Sequence, residues 1–216
     1  KDAHEKARDV DRELKRDRTR GPLQGVPYAI TDLLSVARRP TTWGSPIFAR
    51  QAFQDNAAVV DKLGKSGAVL AAKLRALELG GAGLLTAAET APFAAAVAEG
   101  LVPYAVGLES LGSMQQSSAA RRLTMLKPTY GLVSRYGVMP FAWTLDRVAV
   151  AARSAEDCGH VLHAVAGGDG RDAGSTGQSF HFALQYQRPV AEMRIGVLPT
   201  GAAFLAPALE MLRKTG

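Results

Sequence analysis

A chain of 216 residues, 47% hydrophobic with a mean hydropathy of -0.02, is long enough to bury one sizeable globular core. Its 26 basic against 20 acidic residues give a net charge of +6, which favours acidic partners, nucleic acid among them. No run of 18 apolar residues offers a membrane span, and a single Cys158 excludes an internal disulfide or a cysteine-based metal cluster.

The chain begins at Lys1 rather than Met, as expected of a processed or truncated polypeptide, and no secretory signal or transit peptide is visible. Ala3, Ala7, Val10 and Leu14 recur at helical spacing and predict an amphipathic helix over residues 2–16. The first 20 residues hold eight basic and six acidic side chains, so this end is mixed rather than polybasic. Gly21-Pro-Leu-Gln-Gly-Val-Pro27 punctuates a turn before a short strand at residues 28–30. Asp55 is placed to cap a helix carrying Val59, Val60 and Leu63. Gly67 ends that helix, and residues 68–71 read as a buried strand. An alanine-rich helix follows at residues 91–99, with Pro92 in its first turn, and then a strand at residues 102–106.

Ser154-Ala-Glu-Asp157 resembles a capping box and starts a helix through Ala166, in which Cys158 reads as a small buried apolar residue. Residues 175–187 are polar and irregular, as in a surface loop, and residues 194–198 predict a late strand. Alternating strands and helices point to an α/β fold. With no internal repeat or low-complexity linker, residues 1–216 read as a single domain. Residues 114–145 carry Arg121, Arg122, Lys127 and Arg135 and no acid, which reads either as a solvated face or as a contact for an anionic partner.

Two stretches stand out chemically: Gly107-Leu-Glu-Ser-Leu-Gly-Ser113 and Leu126-Lys-Pro-Thr-Tyr-Gly-Leu-Val-Ser-Arg-Tyr-Gly137. Before them stand Gly21-Pro-Leu-Gln-Gly-Val-Pro-Tyr-Ala-Ile-Thr-Asp32, Pro40-Thr-Thr-Trp-Gly-Ser45 and Asp61-Lys-Leu-Gly-Lys-Ser-Gly-Ala-Val-Leu70. After them come Leu145-Asp146, Arg153-Ser-Ala-Glu-Asp157 and Gly167-Gly-Asp169. In this order and spacing the chain resembles the amidase signature family, nearest within it to the A subunits of glutamyl-tRNA(Gln) amidotransferases. The resemblance implies an α/β amidase-signature core, a mixed sheet flanked by helices. It covers the N-terminal half of the family fold.

Members of that family use a serine nucleophile, a second, bridging serine and a lysine. A serine hydroxyl is a poor nucleophile until a base takes its proton. In the family a neutral lysine does so through the bridging serine, and backbone N–H groups of the nucleophile loop stabilise the oxyanion. The resemblance puts Ser113 at the nucleophile, Thr31 at the lysine and Glu89 at the bridging serine, or Thr90 if the alignment slips by one. Ala87-Ala-Glu-Thr-Ala-Pro-Phe93 stands where the family has a glycine-rich segment, and the connection before it is shorter. The nucleophile loop departs at Leu108, Glu109 and Leu111, and Gln115 replaces an arginine. Leu111, in place of a glycine, is expected to crowd the oxyanion region.

Lys73 belongs to a different family position and does not replace the lost lysine. Other bases to weigh are Asp32, Glu89, His4, His160, His163 and His181, with Asp32 and Glu89 a conceivable carboxylate pair near Ser113. No histidine has triad spacing, and His160 and His163, flanking apolar Val161 and Leu162, read as packing or surface residues. No phosphate loop or zinc pattern is present, and no cofactor or metal is implied.

The resulting expectation is a catalytically inactive amidase-like protein acting as a structural subunit of a larger assembly. Protein subunits are the expected partners, with RNA beside them if the assembly is an organellar ribonucleoprotein or ribosome. A mitochondrial location fits that setting, with the cytoplasm as the alternative. Two other functions stay open: an active amidase or amidotransferase subunit with a rearranged catalytic group, and an amide-binding sensor.

Overall fold

The computed structural model describes residues 2–81, 92–183, 189–197 and 202–215. The chain forms two compact units, Lys1–Phe182 and Ala183–Gly216. In the first, helix α1 (Asp2–Leu14) precedes strand β1 (Pro27–Thr31), helix α2 (Ala58–Lys65) and strand β2 (Val69–Leu74). Helix α3 (Pro92–Ala98), strand β3 (Tyr104–Glu109), helix α4 (Ser113–Ala120) and strand β4 (Thr124–Leu126) follow. Strand β5 (Arg147–Ala152) and helix α5 (Ala155–Val165) complete it.

The five strands form one mixed sheet in the order β2-β1-β3-β5-β4. β1 runs parallel to β2 and β3, whereas β5 runs antiparallel to both β3 and β4. The central strands are near-continuous apolar runs because both of their faces are covered. All six residues of β3 are buried, and so are five of the six in β5.

Alternation along these strands sorts two cores. Tyr28, Ile30, Tyr104, Val106, Val148 and Val150 join Leu63 of α2 and Val161 of α5 on one face. Ala29, Ala105, Ala149 and Ala151 meet Phe93 and Val97 of α3 and Met114 of α4 on the other. Four small side chains on that face leave room for the α3 phenylalanine. Tyr28 and Tyr104, cross-strand neighbours, stack with ring centroids 5.5 Å apart.

The predicted α1, β1, α3 and α5 all form. Ser154 caps α5 by accepting from the Asp157 amide at 3.1 Å. At the other end of α5, Lys62 Nζ donates to the carbonyls of Val165, Ala166 and Gly167 at 3.0, 3.0 and 2.8 Å. That contact ties α2 to the negative end of the α5 dipole. Cys158 is buried and free in α5, and burial pushes its thiol up to about 11.

Three expectations are corrected. Asp55 does not cap α2, whose N-cap is Ala57 without a side-chain bond. Its carboxylate instead accepts from the Tyr136 hydroxyl at 3.0 Å. The buried strand expected at residues 68–71 is the edge strand β2, with Ala71 and Ala72 exposed. The strand expected at 194–198 does not form over the described residues 194–197. Extended backbone needs a neighbour to satisfy its amides, and none pairs there among the described residues. Among the described residues the second unit holds a single turn at Val190–Glu192 and helix α6 (Ala202–Thr215). No described helix is long and apolar enough to cross a membrane.

Candidate functional site

Ser113 is the exposed first residue of α4, reached through Gly112 at φ 99°. That positive φ suits glycine, and it turns the chain out of β3 into the helix. The helix starts where it does because of Glu109. Its side chain is wholly buried, and its carboxylate accepts from the amides of Gly112, Met114 (2.9 Å) and Gln115 (3.1 Å). An anion at a helix N-terminus satisfies otherwise orphaned N–H groups and complements the dipole. Lys127 Nζ lies 3.9 Å from the same carboxylate and donates to Ser110 O at 3.1 Å.

Thr31 ends β1 and is 7% exposed. It packs on Gly107 of β3, where a Cβ would stand 2.8 Å from Thr31 Cγ2, so the glycine admits the threonine. Thr31 Oγ1 is buried without a hydrogen-bond partner among the described residues. Thr31 and Ser113 line one small pocket of about 80 Å³, together with Leu33, Leu77, Phe93 and Arg75. Two of the three positions singled out in the sequence therefore meet. The third, Glu89, and its neighbour Thr90 lie outside the described residues.

Lys73 does not reach this pocket. Its amine is 2.8 Å from Asp32 Oδ1 and donates to Pro40 O at 2.8 Å and Thr41 Oγ1 at 2.6 Å. Asp32 also accepts from the Thr42 amide at 2.9 Å and from its hydroxyl, and does not line the Ser113 pocket. Leu111, expected to crowd the oxyanion region, is 57% exposed. His160 meets Phe182 edge-on at 5.0 Å between centroids and His163 lies 5.8 Å from His181, so neither serves Ser113. No group of three or more potential metal ligands gathers among the described residues.

The four cations of the basic stretch differ in their surroundings. Arg135 is internal, its side chain 8% exposed and paired at two points with Asp172, at 3.2 and 2.9 Å. Lys127 is engaged with Ser110 and Glu109, which leaves Arg122, exposed at φ 55°, and partly buried Arg121. Sequence reasoning missed the capping role of Glu109. Its signal was an acid four residues ahead of a serine-rich helix start.

Comparison with known proteins follows the same lines. The Amidase family model matches residues 1–83 and 93–210. The chain is 34% identical over 210 residues to the A subunit of the glutamyl-tRNA(Gln) amidotransferase from Legionella pneumophila (strain Corby), covering 88% of this chain and 42% of the relative. Native peptide amidase from Stenotrophomonas maltophilia superimposes with a TM-score of 0.78 at 26% identity, over all of this chain and 51% of that one. A chain from a vestigial protein complex tied to the origins of an s-triazine catabolic enzyme gives a TM-score of 0.84 at 25% identity, over 98% and 52%. The chain thus spans under half the length of the curated relative and about half of each structure.

Proposed function

Because the chain belongs to the amidase family, we propose that it is a catalytically silent member serving as a structural subunit of a larger assembly. One observation carries this reading. Thr31, at the position where the family resemblance places the lysine, lines the Ser113 pocket with a hydroxyl. A threonine hydroxyl cannot act as the amine base that activates a serine. The one cationic side chain lining that pocket among the described residues, Arg75, offers guanidinium N–H donors and no acceptor for a proton. Glu109 adds to the argument, since its carboxylate already accepts from three amides around Ser113. A developing oxyanion would have to compete with that carboxylate for those donors.

A structural role is supported by the company the chain keeps. Its curated relative is named as a subunit, and one similar structure comes from a protein complex. A serine-directed fluorophosphonate tests the silence, because an activated serine displaces fluoride from phosphorus and stays covalently marked. Mass spectrometry is expected to find Ser113 unmodified under conditions that label an active amidase. A stoichiometric adduct on Ser113, absent from Ser113→Ala, overturns the proposal.

The Thr31 hydroxyl, without a partner among the described residues, favours a second reading, in which the pocket binds a small amide without cleaving it. Saturable calorimetric binding of acetamide or glutamine, lost in Thr31→Val, would move the assignment to a sensor.

A further inference from the structure

A second pocket, of about 320 Å³, shares Leu108 with the Ser113 pocket. Its volume falls at the lower end of small-molecule sites, roughly 300–1,000 Å³. Leu108, Val138, Met139 and Pro140 make it apolar, and Trp143 and Tyr136 give it aromatic walls.

Two guanidiniums fix those rings. Arg135 stands 4.7 Å from the Trp143 ring centroid and 4.5 Å from that of Tyr130, and donates to Trp143 O at 2.6 Å. Arg171 stands 4.0 Å from the Tyr136 centroid. Trp143 is therefore held by a cation on its ring and by its backbone, yet it is 61% exposed. An ordered, exposed indole at a pocket wall is a ready stacking surface for a second ring.

The charges select the sign of a ligand. Both carboxylates at the pocket are already occupied. Asp146 accepts from the amides of Phe141 and Ala142, each at 2.9 Å, and from the Ser110 hydroxyl. Asp172 accepts from Arg135 and from the Gly174 amide at 2.9 Å. A cationic ligand finds Asp172 filled by four donors and Asp146 by three. An anionic one meets Arg171, which donates to Asp169 through Nε (3.0 Å) and Nη2 (3.1 Å), has Asp61 3.8 Å from the same Nη2, and keeps Nη1 without an acceptor among the described residues.

We propose that this pocket binds a small carboxylate with a planar aromatic body, its ring against Trp143 and its carboxylate on Arg171. The probe is benzoate, titrated calorimetrically into the 216-residue chain, with benzamide and benzylamine as neutral and cationic controls of the same shape. Benzoate is expected to bind saturably, benzamide more weakly, and benzylamine not at all. Trp143→Ala alters an exposed side chain, and Ala173→Phe narrows the mouth at an exposed lining position. Each should weaken benzoate by about tenfold or more while far-UV circular dichroism is unchanged and each variant still unfolds in one cooperative transition. The proposal is overturned if benzoate shows no saturable binding or if benzylamine binds as well. It is equally overturned if benzoate binding is undiminished in either variant that retains its fold.

Discussion

Lys73 and Asp32 form an ion pair at 2.8 Å between two side chains that are 16% and 14% exposed. Register makes the pair informative, because Lys73 of β2 lies opposite Ile30, the residue before Thr31. An amine therefore stands near Thr31 but turned to Asp32, Pro40 and Thr41. Burial draws the Lys73 amine below the usual lysine range, and Asp32 works against that.

Lys73→Met should destabilise the first unit by roughly 1–3 kcal/mol, because the largely buried Asp32 carboxylate loses its ion-pair partner. Urea unfolding followed by circular dichroism measures it.

Glu109→Ala should cost about 2 kcal/mol or more, since three amides at the start of α4 lose a buried acceptor. Glu109→Gln, which keeps one oxygen, should cost less than the alanine. The order of the two denaturation midpoints is the check.

Acid should act through Asp169. Hydrogen bonds from Arg171 hold its carboxyl below the ordinary 3.8, at about 2. A depressed folded pKa contributes stability in full above 3.8, and that contribution is lost as pH falls through about 2. Asp169→Asn should lower the Tm at neutral pH and flatten the decline over this window. Thermal melts across the window would expose an unchanged acid slope.

These contacts mark the limit of what the sequence made legible. Helical spacing in Ala3, Ala7, Val10 and Leu14 located α1, and Ser154 with Asp157 located the start of α5, because those signals are local. The mixed sheet followed from the family resemblance and the alternation of elements. β5 went unread because Arg147–Ala152 is a short apolar run that fits a buried helix or a strand equally well. Arg135 counted as a surface charge because its partner, Asp172, lies far along the chain and no charge tally pairs them. Likewise the resemblance could put Thr31 at the family's lysine position from the sequence, whereas the meeting of Thr31 and Ser113 around one pocket required the fold.

The two kinds of basic residue should respond differently. Arg135→Ala should cost about 3–5 kcal/mol, because it strands buried Asp172 without its cation. Arg122→Glu, at an exposed position, should stay within about 0.5 kcal/mol of the parent. If an assembly partner is acidic, Arg122→Glu should weaken its association with the folded chain. Thermal unfolding and sedimentation of the two variants separate fold from assembly.

Thr31→Lys with Glu89→Ser should not restore useful catalysis. The segment from Ala87 to Phe93 has no glycine, and Glu109 still engages the amides around Ser113. Catalytic proximity demands near-atomic placement. A double variant within about tenfold of an active relative, about 1.4 kcal/mol of barrier, would show these changes to be minor.

Turnover of glutamine and simple amides by the 216-residue chain, beside its Ser113→Ala variant, tests catalytic silence most directly. The predicted result is no release of ammonia above the uncatalysed background from either protein. Release by the parent chain that Ser113→Ala abolishes would contradict it.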